Sequence, residues 1–133
     1  MNITHPPVTH EDDRGAIVDL LALLPSGAPT SVTFLTCNPG ASRGDHYHLA
    51  STEYIYVLSG HLSAGTQHPD GHVTWRDLYP GYLLVNDPGE SHVLIAAAHS
   101  LIVSLTIGPK HRGDTYPSRV PRPIAAATPP TAL

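Results

Sequence analysis

The 133-residue chain is long enough for one domain and too short for two ordinary ones. Apolar residues make up 41% and charged residues 14%, which excludes a disordered chain. A formal net charge of −4, with Lys110 the only lysine, excludes a surface built for a polyanion, so no nucleic-acid partner is expected.

The 14 prolines and 11 glycines favour short strands joined by turns over long helices. In chain order, Ile17–Leu21 reads as a strand, with a short helix over Ile17–Leu24 as the alternative. Ser31–Cys37 is β-branched and aromatic, hence a strand. Tyr54–Leu58 follows, closed by Ser59-Gly60. His61–Gln67 and Val73–Leu78 flank Asp70-Gly71, a strong hairpin signal. Tyr82–Val85, His92–Ala96 and Leu101–Ile107 complete an all-β body over residues 1–107, a sandwich or barrel. Residues 108–133 differ. They hold Lys110, Arg112, Arg119 and Arg122 against Asp114 alone, and six prolines, whereas the body holds three arginines (Arg14, Arg43, Arg76) against ten acids. Proline breaks both ladders and helices, so this segment reads as an extended, basic, Pro-rich C-terminal arm, either a loose tail or a strap across the acidic body or a partner subunit.

No window approaches the ~20 apolar residues of a membrane helix. Met1–Pro7 carry neither a basic nor an apolar leader region, and the single Cys37, expected to be a small buried hydrophobe, excludes an internal disulfide. The expectation is a cytoplasmic protein with no membrane partner.

The chemistry is concentrated in histidines and carboxylates. In a strand, residues two apart share a face, so His46 and His48 can aim at one point while Tyr47 turns away. Glu53 leads the strand Tyr54–Leu58 on the face shared by Ile55 and Val57. A carboxylate on an inward face is unfavourable unless paired or bound to a metal. His92 opens a further strand. Three imidazoles and one carboxylate suit a divalent transition metal, Fe, Mn, Ni, Cu or Zn, rather than a hard ion such as calcium.

The order Gly40, His46, His48, Glu53, Gly60 resembles the first cupin motif without gap or substitution, and Gly81, Asp87-Pro88-Gly89, His92 resembles the second. Asp87 replaces the usual proline and Ala96 a frequent asparagine; neither is a ligand position. The resemblance covers about residues 30–107. It implies a single cupin jelly-roll barrel with a metal inside one open end, held by His46, His48, Glu53 and His92. The segments Asp12-Asp13-Arg14-Gly15 and Arg43-Gly44-Asp45-His46-Tyr47-His48 also resemble, less specifically, nucleotide-sugar 3,4-ketoisomerases and 3,5-epimerases. In that branch a histidine is the base beside a ketone. The resemblance implies His46 or His48 as base, Tyr47 as candidate acid and Arg43 as a phosphate contact, without a metal.

Three functions remain open. The first is a metal-dependent enzyme on a small oxygenated metabolite, acting as isomerase, epimerase, lyase, cyclase or dioxygenase. The second is a metal-independent nucleotide-sugar isomerase or epimerase. The third is a binding cupin without turnover. An outer face of Tyr54, Tyr56 and Leu58 is too apolar for water, so a second sheet or a homodimer is expected to cover it. Trp75, Tyr79 and Tyr82 are candidates for the cavity mouth, though core packing is the commoner use of such residues. His68 and His72 read as an exposed hairpin tip, His61 as facing cavity or solvent, and His5, His10 and His111 as solvent-facing.

Overall fold

The computed structural model describes residues 1–24, 29–109 and 113–123. The expected positions of Lys110, His111, Arg112 and the last prolines lie outside these residues. Twelve strands are described: β1 Asn2–Thr4, β2 His10–Asp12, β3 Gly15–Ile17, β4 Ser31–Cys37, β5 Ser42–Tyr47, β6 Thr52–Ser59, β7 Leu62–Gln67, β8 Val73–Leu78, β9 Leu83–Asn86, β10 Ser91–Ala96, β11 Ser100–Ile107 and β12 Tyr116–Pro117. Two antiparallel five-stranded sheets, ordered β1-β9-β6-β11-β4 and β12-β5-β10-β7-β8, face each other as a jelly-roll barrel, and β2 and β3 form a separate hairpin. No helix among the described residues is long and apolar enough to cross a membrane.

Period-two alternation decides what each strand buries. On β6, Glu53, Ile55 and Val57 point inward, and the inner core joins Ile55 and Val57 to Leu62, Leu84, Leu94 and Ile102. The hairpin around Asp70-Gly71 pairs β7 with β8 from Leu62↔Leu78 to Gln67↔Val73.

The other face of β6 departs from expectation. Tyr54 and Tyr56 are buried, and Val18, Leu20, Leu23 and Leu24 of the same chain pack on them. The expected strand Ile17–Leu21 ends at Ile17 and gives way to a 3-10 turn over Leu21–Leu23. Asp19 is the reason. Its N–H donates to Thr9 Oγ1 at 2.8 Å and its Oδ1 accepts from Leu21 N–H at 3.1 Å, so local side-chain bonds replace the ladder. The apolar outer face is thus largely covered from within the chain. Leu58 stays exposed, as do Val32 and Phe34 of β4.

The described part of the arm lies on its own barrel. β12 pairs with β5 through Tyr116↔Tyr47 and Pro117↔His46. Val120 is fully buried, Trp75 Nε1–H donates to the Pro121 carbonyl at 3.1 Å, and Arg122 grips Asp45.

Candidate metal centre and cavity

A cavity of about 480 Å³ lies between the sheets. Its walls include Ser31, Thr33 and Leu35 of β4, Arg43, Gly44 and His46 of β5, Glu53 and Ile55 of β6, His92 and Leu94 of β10, and Ile102 and Ser104 of β11. At one end the structure brings together His46, His48, Glu53 and His92, with one potential ligand atom from each all within 4.8 Å of one another. Their rings are close: His46 lies 5.0 Å from His48 and 4.7 Å from His92, centroid to centroid.

A bulge aims this cluster. β10 pairs with β5 at His92↔His46 but then at Val93↔Gly44, which leaves Asp45 as the extra residue. Asp45 adopts φ 56°, the left-handed region, which aspartate tolerates better than most residues. Gly44 is required beside it: φ is +108° and a Cβ there would stand 2.7 Å from the His92 carbonyl oxygen. The bulge puts both Arg43 and His46 on the cavity wall and frees Asp45 to face the arm. There Asp45 accepts from Arg122 Nη1 at 2.8 Å, from Arg122 Nη2 at 2.7 Å and from Val120 N–H at 3.1 Å. The Arg122 guanidinium holds the Asp45 carboxyl below the usual carboxylate range.

Two imidazoles are oriented from behind by main-chain carbonyls. A carbonyl only accepts, so the proton sits on Nδ1 in each ring. His48 Nδ1–H donates to Asp114 O at 2.8 Å, and His92 Nδ1–H donates to Glu90 O at 3.2 Å. Both Nε2 atoms then face Glu53, that of His48 3.8 Å from Oε2 and that of His92 3.5 Å from Oε1. Burial pushes the His92 pKa down against the pull of the Glu53 and Glu90 charges. For His48 burial acts the same way but is outweighed by Glu53 and Asp114, and its pKa is raised.

These residues fit a divalent ion. Deprotonated Nε2 atoms, a carboxylate and second-side hydrogen bonds on Nδ1 are what metal-ligating histidines require. His92 Nε2 is buried and makes no hydrogen bond among the described residues. One potential ligand atom from each of the four residues lies within 4.8 Å of the others, so small side-chain rotations would bring all four within reach of one ion.

Sequence reasoning missed Asp114. Its carboxylate caps the loop after His48, accepting from Leu49 N–H at 3.0 Å, Ala50 N–H at 2.9 Å and Ser51 N–H at 2.8 Å. Burial raises its pKa, but these donors win and hold it at about 2. The available signal was a lone acid in a basic segment. Glu90 was also missed. It is buried and binds His68 Nδ1 at 3.0 Å, so His68 is anchored beneath the hairpin tip rather than free in solvent.

Other expected site residues lie elsewhere. Tyr47, expected as an acid, turns out of the cavity because it alternates with His46. It stacks on Tyr116 at 5.4 Å and lines a separate pocket of about 240 Å³. Trp75, Tyr79 and Tyr82 do not line the large cavity; Tyr79 stacks on His61 at 4.7 Å and meets Tyr82 edge-on. His61 pairs with Asp77 outside the cavity. Arg43 does reach the cavity, and its Nη2 donates to the Thr36 carbonyl at 3.0 Å.

Comparison with solved structures settles the architecture. The chain overlays a dTDP-4-dehydrorhamnose 3,5-epimerase from Sulfolobus tokodaii with a TM-score of 0.72 and 17% identity, over 85% of this chain and 73% of that one. It overlays a sugar 3,4-ketoisomerase from Thermoanaerobacterium thermosaccharolyticum, solved in complex with TDP, with a TM-score of 0.73 and 16% identity, over 86% of this chain and 85% of that one. The fold is a cupin jelly roll. In sequence, residues 10–73 of this chain match the family model described as the polysaccharide biosynthesis C-terminal domain. A further 51-residue match is 41% identical to the UDP-2-acetamido-2,6-beta-L-arabino-hexul-4-ose reductase of Pseudomonas aeruginosa. That match spans 38% of this chain and only 13% of the reductase.

Proposed function

We propose that this cupin is an enzyme that moves a proton at the carbon beside a ketone of a nucleotide-linked hexose, as an epimerase or ketoisomerase, at a site that holds a divalent transition metal. The observation that carries the reading is the His46–His48–Glu53–His92 cluster at the end of a cavity sized for a small metabolite. The substrate class is supported by two of the similar proteins, the dTDP-4-dehydrorhamnose epimerase and the UDP-linked hexul-4-ose reductase, whose names specify nucleotide-linked hexoses with a ketone. When bound, the ion supplies Lewis-acid polarisation of an oxygen.

The protein's own groups divide the remaining work. His48, Glu53 and His92 are the buried members and form a two-histidine, one-carboxylate set that holds the ion. His46 is the least buried of the four and faces the cavity. We assign it the proton-accepting role, as base rather than as a required ligand. Arg43, on the same wall, is placed for a phosphate oxygen. Apolar walls at Leu35, Ile55, Leu94 and Ile102 exclude water around the reacting carbon.

The test is incubation with TDP-4-keto-6-deoxyglucose, or with a UDP-linked 4-ketohexose, in D2O. Deuterium should enter at a carbon next to the ketone. It should fail to enter with H46A, while H46A retains the metal. No exchange by the fully metallated wild type on either substrate would refute the reading. Exchange by a metal-free preparation would leave the proton transfer standing and remove the metal from it.

A further inference from the structure

Ser104 is a buried hydroxyl with nothing to bond. It is 5% exposed, its Oγ has no hydrogen-bond partner among the described residues, and it lines the large cavity. A hydroxyl left so in a folded interior signals a missing partner, water or ligand.

The register of the sheet shows what surrounds it. Ser104 stands opposite Thr33 on β4 and Ile55 on β6. One row toward the cluster, Thr106 stands between Ser31 and Glu53. One row away, Ile102 stands between Leu35 and Val57. The inner face therefore grades from polar at Glu53 to apolar two rows on. Ser31 and Thr33 extend the polar rows to the edge strand, their hydroxyls 3.3 Å apart. Thr33 is exposed and Ser104 is not, so the hydroxyls run from the cavity rim into its interior.

We propose that Ser104, with Thr33 and Ser31, forms a subsite that reads ring hydroxyls of the substrate. It rests on the function proposed above and adds an orientation: the sugar lies along β4 and β11, and the diphosphate lies toward Arg43 on β5. The chemistry favours that assignment. A hydroxyl both donates and accepts, so it matches another hydroxyl, whereas a phosphate calls for a cation, and the described cavity wall carries one only on the opposite sheet. A site built to hydrogen-bond a substrate hydroxyl also discriminates against analogues that lack it.

Calorimetric titration tests this with wild type, S104A and T33V against three probes: TDP alone, TDP-4-keto-6-deoxyglucose and a UDP-linked 4-ketohexose. S104A should weaken the sugar nucleotide that wild type binds by about five- to tenfold, the loss of one hydrogen bond, and T33V should weaken it in the same direction. TDP affinity should stay within about twofold. The melting temperature of ligand-free S104A should be unchanged or higher, because the hydroxyl removed had no partner. Equal sugar-nucleotide affinity in wild type and S104A would overturn the subsite alone. So would a sugar nucleotide binding no tighter than TDP. Parallel loss of TDP affinity and of melting temperature would mark Ser104 as structural and overturn it too. Failure of wild type to bind either sugar nucleotide would overturn the proposed function and the subsite with it.

Discussion

Replacing Arg122 by methionine and Asp45 by asparagine, singly and together, measures how firmly the arm is fastened to the bulge that carries His46. The two side chains are 26% and 22% exposed and meet through two charge-assisted hydrogen bonds of 2.8 and 2.7 Å. Fully exposed pairs contribute ~0–1 kcal/mol. Buried hydrogen bonds to charged groups contribute ~1.5–3 kcal/mol. A forked pair about three-quarters withdrawn from water falls between, so the coupling energy of the double-mutant cycle should be about 1–2 kcal/mol. For a chain of this size R122M should lower the melting temperature by about 3–8 °C. D45N in the R122M background should add little. Molar salt should shrink the coupling only modestly, because the pair is mostly shielded. Thermal or urea unfolding of the four proteins gives the answer. A coupling below about 0.3 kcal/mol would show that the arm is held by its other contacts and that the ion pair contributes nothing to the fastening.

Three further outcomes follow from local geometry. Asp114 is held at a pKa of about 2, below its ordinary value of 3.8, so its stabilisation is complete above about pH 4 and is lost as pH falls through 2. Acid titration of unfolding should therefore show a slope in that window that D114N lacks; identical slopes would refute the capping role. G60A should cost about 3 kcal/mol or more, since a Cβ would stand 2.2 Å from Ser100 Oγ and 2.6 Å from the His99 carbonyl at φ +95°. G40A, at φ +82° with nothing within 4 Å, should cost only the backbone strain, about 1 kcal/mol, and equal urea midpoints for the two would contradict the clash. Trp75 fills the space beside Gly65, where a Cβ would lie 2.7 Å from the ring, so G65A should change the tryptophan emission; an unchanged spectrum would refute that packing.

The barrel and the clustering of His46, His48, Glu53 and His92 were legible because both rest on local rules. Alternation along Thr52–Ser59 put Glu53 with Ile55 and Val57, and the spacing of His46 and His48 put both rings on one side. The extra residue at Asp45 was not legible, since a bulge depends on the partner strand and on Gly44, and yet the final placement of Arg43 depends on it. The role expected of Tyr47 was set by likeness to other proteins, and the alternation that brings His46 inward turns Tyr47 out. What covers Tyr54 and Tyr56 was hidden because residues 17–24 read as either a strand or a short helix; Asp19 and Thr9 shape them through side-chain bonds. The prolines and basic charge of the arm left a choice between a loose tail and a strap; Asp114, Val120 and Arg122 each find a specific long-range partner, which no local pattern announces.

Elemental analysis of untagged protein, before and after reconstitution with divalent transition metals, bears most directly on the His–Glu cluster. One equivalent of metal per chain in the wild type, retained in H46A and lost in H92A with the fold intact by circular dichroism, is the expected result. Less than about a tenth of an equivalent in reconstituted wild type, or full occupancy in H92A, would contradict it.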